Sequence, residues 1–138
     1  MLSYADLIQL GGYAAVEYCG GPSMIFRMGR HDAHTESEVA PPGRLHDKED
    51  DTPTLFSKYS RMGFTKQEYV AFIGHNTIGF ADEDKTGFKA RWTQNPYVFD
   101  NTYYKELLAG DRSKYFKSPA ELGMLYDEEM RKFVEAYA

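Results

Sequence analysis

The chain holds one cysteine, Cys19, so it can build no internal disulfide framework, and that usage leans towards a reducing compartment. No apolar run is long enough to cross a bilayer. No signal peptide or transit sequence is visible. Lys and Arg number 16 against 21 Asp and Glu and form no cluster, and the net charge of -5 argues against a nucleic-acid surface. Tryptophan occurs once, as Trp92. The other aromatics are plentiful: 11 Tyr and 9 Phe bring the aromatic share to 15%, which points to large packed or contacting surfaces. With 138 residues and 42% hydrophobic content, the span 1–138 is expected to be one domain or part of one, with enough apolar material for a core.

Helix signals dominate the rest. Ser3 reads as an N-cap with Asp6 at the third helical position, and Leu7, Leu10, Ala14 and Tyr18 follow at helical spacing until Gly20-Gly21-Pro22 stops the helix. Met24 to Thr54 carries Pro41-Pro42-Gly43 and Lys48-Glu49-Asp50-Asp51 without a sustained period. It reads as a long loop, either functional or draped on a partner. A short helix is expected over Leu55 to Arg61. Thr65-Lys66-Gln67-Glu68 is a capping box that opens a helix carrying Tyr69, Val70, Phe72 and Ile73. Ala81 to Pro96 reads as irregular, and Asp100 as a cap for a helix from Asn101 to Leu108. Ser118-Pro119-Ala120-Glu121 is a second capping box with proline at the first helical position. Asp127 caps a last helix with Met130, Phe133, Val134 and Tyr137 on one face, a pattern still running where the sequence stops.

The most informative stretch is Val70-Ala71-Phe72-Ile73-Gly74-His75-Asn76-Thr77-Ile78-Gly79. It resembles the proximal haem-ligand helix of the plant-type peroxidases of class I, the class of ascorbate peroxidase and cytochrome c peroxidase. In that family a histidine before Thr-Ile-Gly binds the haem iron; here the position is Asn76. Other segments resemble the family in the same order: Ser3-Tyr4-Ala5-Asp6-Leu7, Gly20-Gly21-Pro22, Gly29-Arg30-x-Asp32, Pro42-Gly43-Arg44-Leu45, Trp92-Thr93-x-Asn95-Pro96-x-x-Phe99-Asp100-Asn101-x-Tyr103 and Leu125-x-Asp127. The resemblance implies a mainly α, haem-peroxidase-like helical domain with long loops and little or no strand. It also implies that only the proximal half is present, the distal half and the C-terminal helices having no counterpart.

Carried over residue by residue, the resemblance makes Asn76, Trp92 and Asp127 a degenerate proximal site with no catalytic residue. Asp127 matches the acid that supports the family's ligand, and Trp92 the tryptophan that shares its hydrogen bond. Asn76 offers an amide oxygen or a non-basic NH2, neither a competent haem ligand, and is expected to satisfy Asp127 through its NH2. His75, one residue earlier, would point about 100° away on an α-helix and could ligate haem only after a shift of register. Asp82 stands where the family has a histidine on a haem propionate, and Lys85 stands for an arginine that helps hold ascorbate. Thr77, Thr93, Asn95, Asp100 and the carbonyl of Val98 match a monovalent-cation site, an oxygen set suited to a hard cation. Loop capping by Asp100 and a turn at Asn95-Pro96 account for the same residues without an ion. His31, His34 and His46 are too loosely spaced to define a metal site, and Cys19 reads as a packed thiol.

The reading that follows is a non-catalytic, ascorbate-peroxidase-like accessory subunit. Its host would be a larger assembly, with a mitochondrial respiratory complex first and a chloroplast location second, an expectation resting on where the family is found. Partners would be other protein subunits, among them a peroxidase-like paralogue, and neither nucleic acid nor a direct membrane span is expected. No cofactor is expected beyond potassium as a candidate structural ion, with haem b only if the site is intact. The alternative is an active haem peroxidase reducing hydrogen peroxide with ascorbate or cytochrome c, its distal half supplied elsewhere.

Overall fold

The computed structural model of the chain describes residues 2–44, 46–47 and 49–138. Leu45, the end of the Pro42-Gly43-Arg44-Leu45 match, and Lys48 of the charged run lie outside the described residues. The chain divides into two compact units, Met1–Arg44 and Leu45–Ala138.

The first unit is one helix and a long irregular segment. Helix α1, Tyr4–Tyr18, starts where Ser3 Oγ accepts from the Asp6 amide. Its first-turn N–H groups have no intrahelical acceptors. Asp32 supplies them: its carboxylate accepts from the amides of Tyr4 at 2.9 Å and Ala5 at 2.8 Å. Asp6 answers from the helix side, accepting from the amides of Gly29 (2.9 Å) and Arg30 (3.3 Å) and from Arg30 Nη1 (3.0 Å). The Gly29-Arg30-x-Asp32 motif is therefore the clasp that returns the segment to the helix start. Asp6 is the only buried residue among the described residues of this unit, while Tyr4, Leu7, Ile8, Ile25 and Met28 are exposed.

The second unit carries the apolar core. Helix α2 spans Thr52–Ser60, α3 Lys66–Ile73, α4 Glu83–Thr86, α5 Thr102–Ala109, α6 Pro119–Gly123 and α7 Glu128–Tyr137. A two-stranded antiparallel ribbon, β1 (Phe80–Ala81) and β2 (Ala90–Arg91), brackets α4 and gives order to a stretch expected to be irregular. Helix α3 packs on α7, α2 on α6, and α5 on α7. Leu55, Val70, Leu107, Met124, Met130 and Val134 are buried together with Tyr69, Tyr103 and Tyr104.

Two glycines set how closely these helices approach. A Cβ on Gly123 would collide with Thr52 Oγ1, whose hydroxyl donates to the Ala120 carbonyl at 2.9 Å. A Cβ on Gly74 would collide with the Tyr104 phenol, which donates to the carbonyls of Val70 (3.0 Å) and Ala71 (3.3 Å). That phenol caps the end of α3 where the chain tightens into a 3-10 turn, Gly74–Thr77. Gly79, at φ 84°, then turns the chain towards β1, its amide donating to the Pro96 carbonyl at 2.8 Å.

Candidate functional site

The 3-10 turn presents His75, Asn76 and Thr77 in three directions, because three residues per turn separate neighbours by about 120°. Asn76 faces inwards. Its Nδ2 donates to Glu121 Oε1 at 2.7 Å. The same carboxylate accepts from Tyr103 Oη at 2.9 Å, from Trp92 Nε1 at 3.2 Å and from the Ser118 amide at 2.6 Å. Four donors thus surround one acid that is 3% exposed. That arrangement lets a carboxylate remain buried without an ion-pair partner. Burial first, and the neighbouring Glu121 charge second, hold the Tyr103 phenol far above its ordinary pKa, so it remains a donor.

This corrects the expected pairing of Asn76 with Asp127. Asp127 is half-buried at the start of α7, where its Oδ1 accepts from the amides of Glu129 (3.1 Å) and Met130 (2.9 Å). Its Oδ2 accepts from Lys66 Nζ at 2.8 Å, and chiefly that bond holds the acid below the usual aspartate range. The supporting acid of the site is Glu121. Its signal in the sequence was the capping box, which reads it as a helix-start residue. A carboxylate has about four lone-pair sites, so capping the Ser118 amide leaves capacity for three more donors.

Other expected site residues are distributed as follows. His75 is exposed; its Nδ1 lies 2.7 Å from the Phe72 carbonyl and its ring packs on Phe72 at 5.1 Å. Asp82 caps α4, its Oδ1 accepting from the Asp84 amide at 3.1 Å, and Lys85 is an exposed residue of that short helix. Thr77, Thr93 and Asp100 are brought together: Thr77 Oγ1 donates to Asp100 Oδ1 at 3.0 Å and Thr93 Oγ1 to the Thr77 carbonyl at 2.9 Å. Both threonines are buried. Asn95 and Val98 sit in the exposed turn before Asp100, where Asn95 Oδ1 accepts from the Tyr97 amide at 3.2 Å. Among the described residues no group of three or more His, Cys, Asp or Glu comes together as a metal site.

His46, Leu55, Tyr59, Ile73, Phe88 and Phe116 wall a cavity of about 310 Å³ over this network. His75, Asn76, Trp92, Ser118 and Glu121 complete its lining.

The mainly helical fold thus places Trp92 and Glu121 beneath the 3-10 turn that carries Asn76. The family model for peroxidases matches residues 1–138. L-ascorbate peroxidase 3 of Arabidopsis thaliana is 42% identical over 138 residues, covering 99% of this chain and 47% of the relative. L-ascorbate peroxidase 2, cytosolic, of the same plant is 39% identical, with 100% and 54% covered. L-ascorbate peroxidase 5, peroxisomal, also of Arabidopsis thaliana, is 38% identical, with 99% and 48% covered. The chain belongs to the peroxidase family, within the plant-type class I haem peroxidase superfamily. It spans about half the length of these curated relatives.

The residues present do not fit haem iron at the family's ligand position. Glu121 only accepts, so Asn76 must turn its NH2 to it and has no basic nitrogen to offer. The acid at Asp82 adds negative charge where the resemblance places a propionate contact.

Proposed function

We propose that this chain is a non-catalytic, ascorbate-peroxidase-like accessory or structural subunit of a larger assembly. The observation that carries the reading is the Asn76–Glu121 bond. In a working proximal site an acid at this place would make an imidazole ligand more basic. Here the same acid, with Trp92 and Tyr103 around it, is spent on holding an amide. The network keeps its structural value, since four donors and a buried charge satisfy one another, while the ligand chemistry is lost.

The first unit supports a partner. In it Tyr4, Leu7, Ile8, Ile25 and Met28 are exposed, and Asp6 is the one buried residue among those described. Apolar surface of this kind calls for another protein surface, whether a different subunit or a peroxidase-like paralogue. A mitochondrial respiratory complex is the host to search first and the chloroplast second. Two of the relatives are named as cytosolic and peroxisomal enzymes, so fractionation decides the compartment. The set Thr77, Thr93, Asn95, Asp100 and the Val98 carbonyl is proposed as a structural potassium site, with the Thr77, Thr93 and Asp100 cluster tying the 3-10 turn to the start of α5.

The test is an absorption spectrum of the protein purified from its source with its partners attached. The wild type is expected to lack a Soret band at stoichiometric protein, and Asn76→His to gain one on haemin addition. A wild-type band lost in His75→Ala but kept in Asn76→Ala would overturn the reading and make His75 the ligand.

A further inference from the structure

The hydrogen bonds to Glu121 fix the groups around this cavity. Glu121 is acceptor-only and takes Trp92 Nε1, Tyr103 Oη, the Ser118 amide and one N–H of Asn76 Nδ2. That bond orients the Asn76 amide and leaves its second N–H as a donor and Oδ1 as an acceptor, neither bonded among the described residues. His75 is fixed in the same way. The Phe72 carbonyl can only accept, so Nδ1 carries the proton and Nε2 of the neutral ring is an acceptor. Both residues line the cavity, next to each other on one turn. Tyr59 and Ser118 bring hydroxyls, which serve in either role. The remaining walls are Leu55, Ile73, Phe88, Trp92 and Phe116, with the Trp92 and Phe116 rings edge-on at 5.4 Å. At about 310 Å³ the space is at the low end of the ~300–1,000 Å³ range of small-molecule sites.

We propose that this cavity binds a small planar fused-ring heteroaromatic whose ring N–H donates to His75 Nε2. Aromatic walls select the flat ring and the His75 acceptor selects the N–H edge. The idea rests on the reading that haem does not occupy the cavity, and a separate measurement tests that reading.

The experiment uses the full-length chain and benzimidazole, with indene as the hydrocarbon of the same shape. Trp92 is the chain's only tryptophan and lines the cavity, so its indole N–H resonance reports occupancy. At pH 8, benzimidazole should give a saturable shift of that resonance and bind at least about five-fold tighter than indene, one net hydrogen bond of ~1 kcal/mol. In His75→Phe, an exposed substitution, that preference should vanish while indene binding stays. Equal or tighter indene binding in the wild type would overturn the proposal, as would a preference that survives His75→Phe or a resonance that neither compound moves. A haemin titration followed at the Soret band runs in parallel. A stoichiometric band there removes the non-catalytic reading, whereas failure of the benzimidazole titration without a band removes only this proposal.

Discussion

Replacing Glu121 by glutamine keeps shape and volume and removes only the charge. The carboxylate oxygens each serve two donors: Oε1 takes Asn76 Nδ2 and Tyr103 Oη, and Oε2 takes Trp92 Nε1 and the Ser118 amide. A glutamine must set its NH2 against one of these pairs. Trp92 and Ser118 present N–H groups that cannot accept, so the amide oxygen goes to them and the NH2 faces Asn76 and Tyr103. Asn76 can flip its amide and accept. Tyr103 can accept too, but its proton then points into a core where the residue is 1% exposed. Loss of charge assistance on the two retained bonds costs about 1 kcal/mol each, and the stranded hydroxyl about 1–3 kcal/mol. The sum, roughly 3–5 kcal/mol, is a large fraction of the ~5–15 kcal/mol by which a domain is stable.

Urea unfolding followed by circular dichroism and by Trp92 fluorescence should place the Glu121→Gln midpoint about 2 M lower with an unchanged slope. Asp127→Asn is the internal control: it loses a half-exposed pair with Lys66 and keeps a residue that caps well, so it should cost far less. A Glu121→Gln cost below about 1 kcal/mol, or an Asp127→Asn cost exceeding it, would refute the four-donor network.

Gly74→Ala should destabilise by about 1–3 kcal/mol, read as a fall in melting temperature, because the Tyr104 phenol must leave the end of α3. Tyr69→Phe should be neutral or raise stability by about 1 kcal/mol in urea melts, since among the described residues the buried Tyr69 hydroxyl has no hydrogen-bond partner. Lowering the pH should erode stability through Asp50 and Asp127, which hydrogen bonds from Lys58 and Lys66 hold below the ordinary aspartate value. Their contribution is complete above the unfolded value near pH 4 and is lost as pH falls through the lower folded values, so Asp50→Asn should flatten the acid limb of a stability-versus-pH curve. Potassium should raise the melting temperature relative to a bulky organic cation at equal ionic strength, and Thr93→Val should abolish that increment.

The sequence by itself determined the family and the starts of α1, α3, α6 and α7, whereas α2 begins at Thr52, capped by Asp51, ahead of the expected Leu55. Ser3, Thr65 with Glu68, Ser118 with Glu121, and Asp127 all cap where their local patterns placed them, because a cap is a contact within one turn of chain. The asparagine at Asn76, where the resemblance places the proximal histidine, was equally legible, being a matter of residue identity in a motif. Tertiary structure decided which acid supports the site. Glu121 and Asp127 both begin helices, and only the packing of α6 beneath the 3-10 turn brings Glu121 to Asn76, 45 residues away, and to Trp92, 29 residues away. The clasp of Asp6 and Asp32 on the first unit and the joining of Thr77 to Thr93 and Asp100 belong to the same class. Each depends on donors and acceptors far apart in sequence, whose pairing follows from which groups burial removes from water and must therefore satisfy one another.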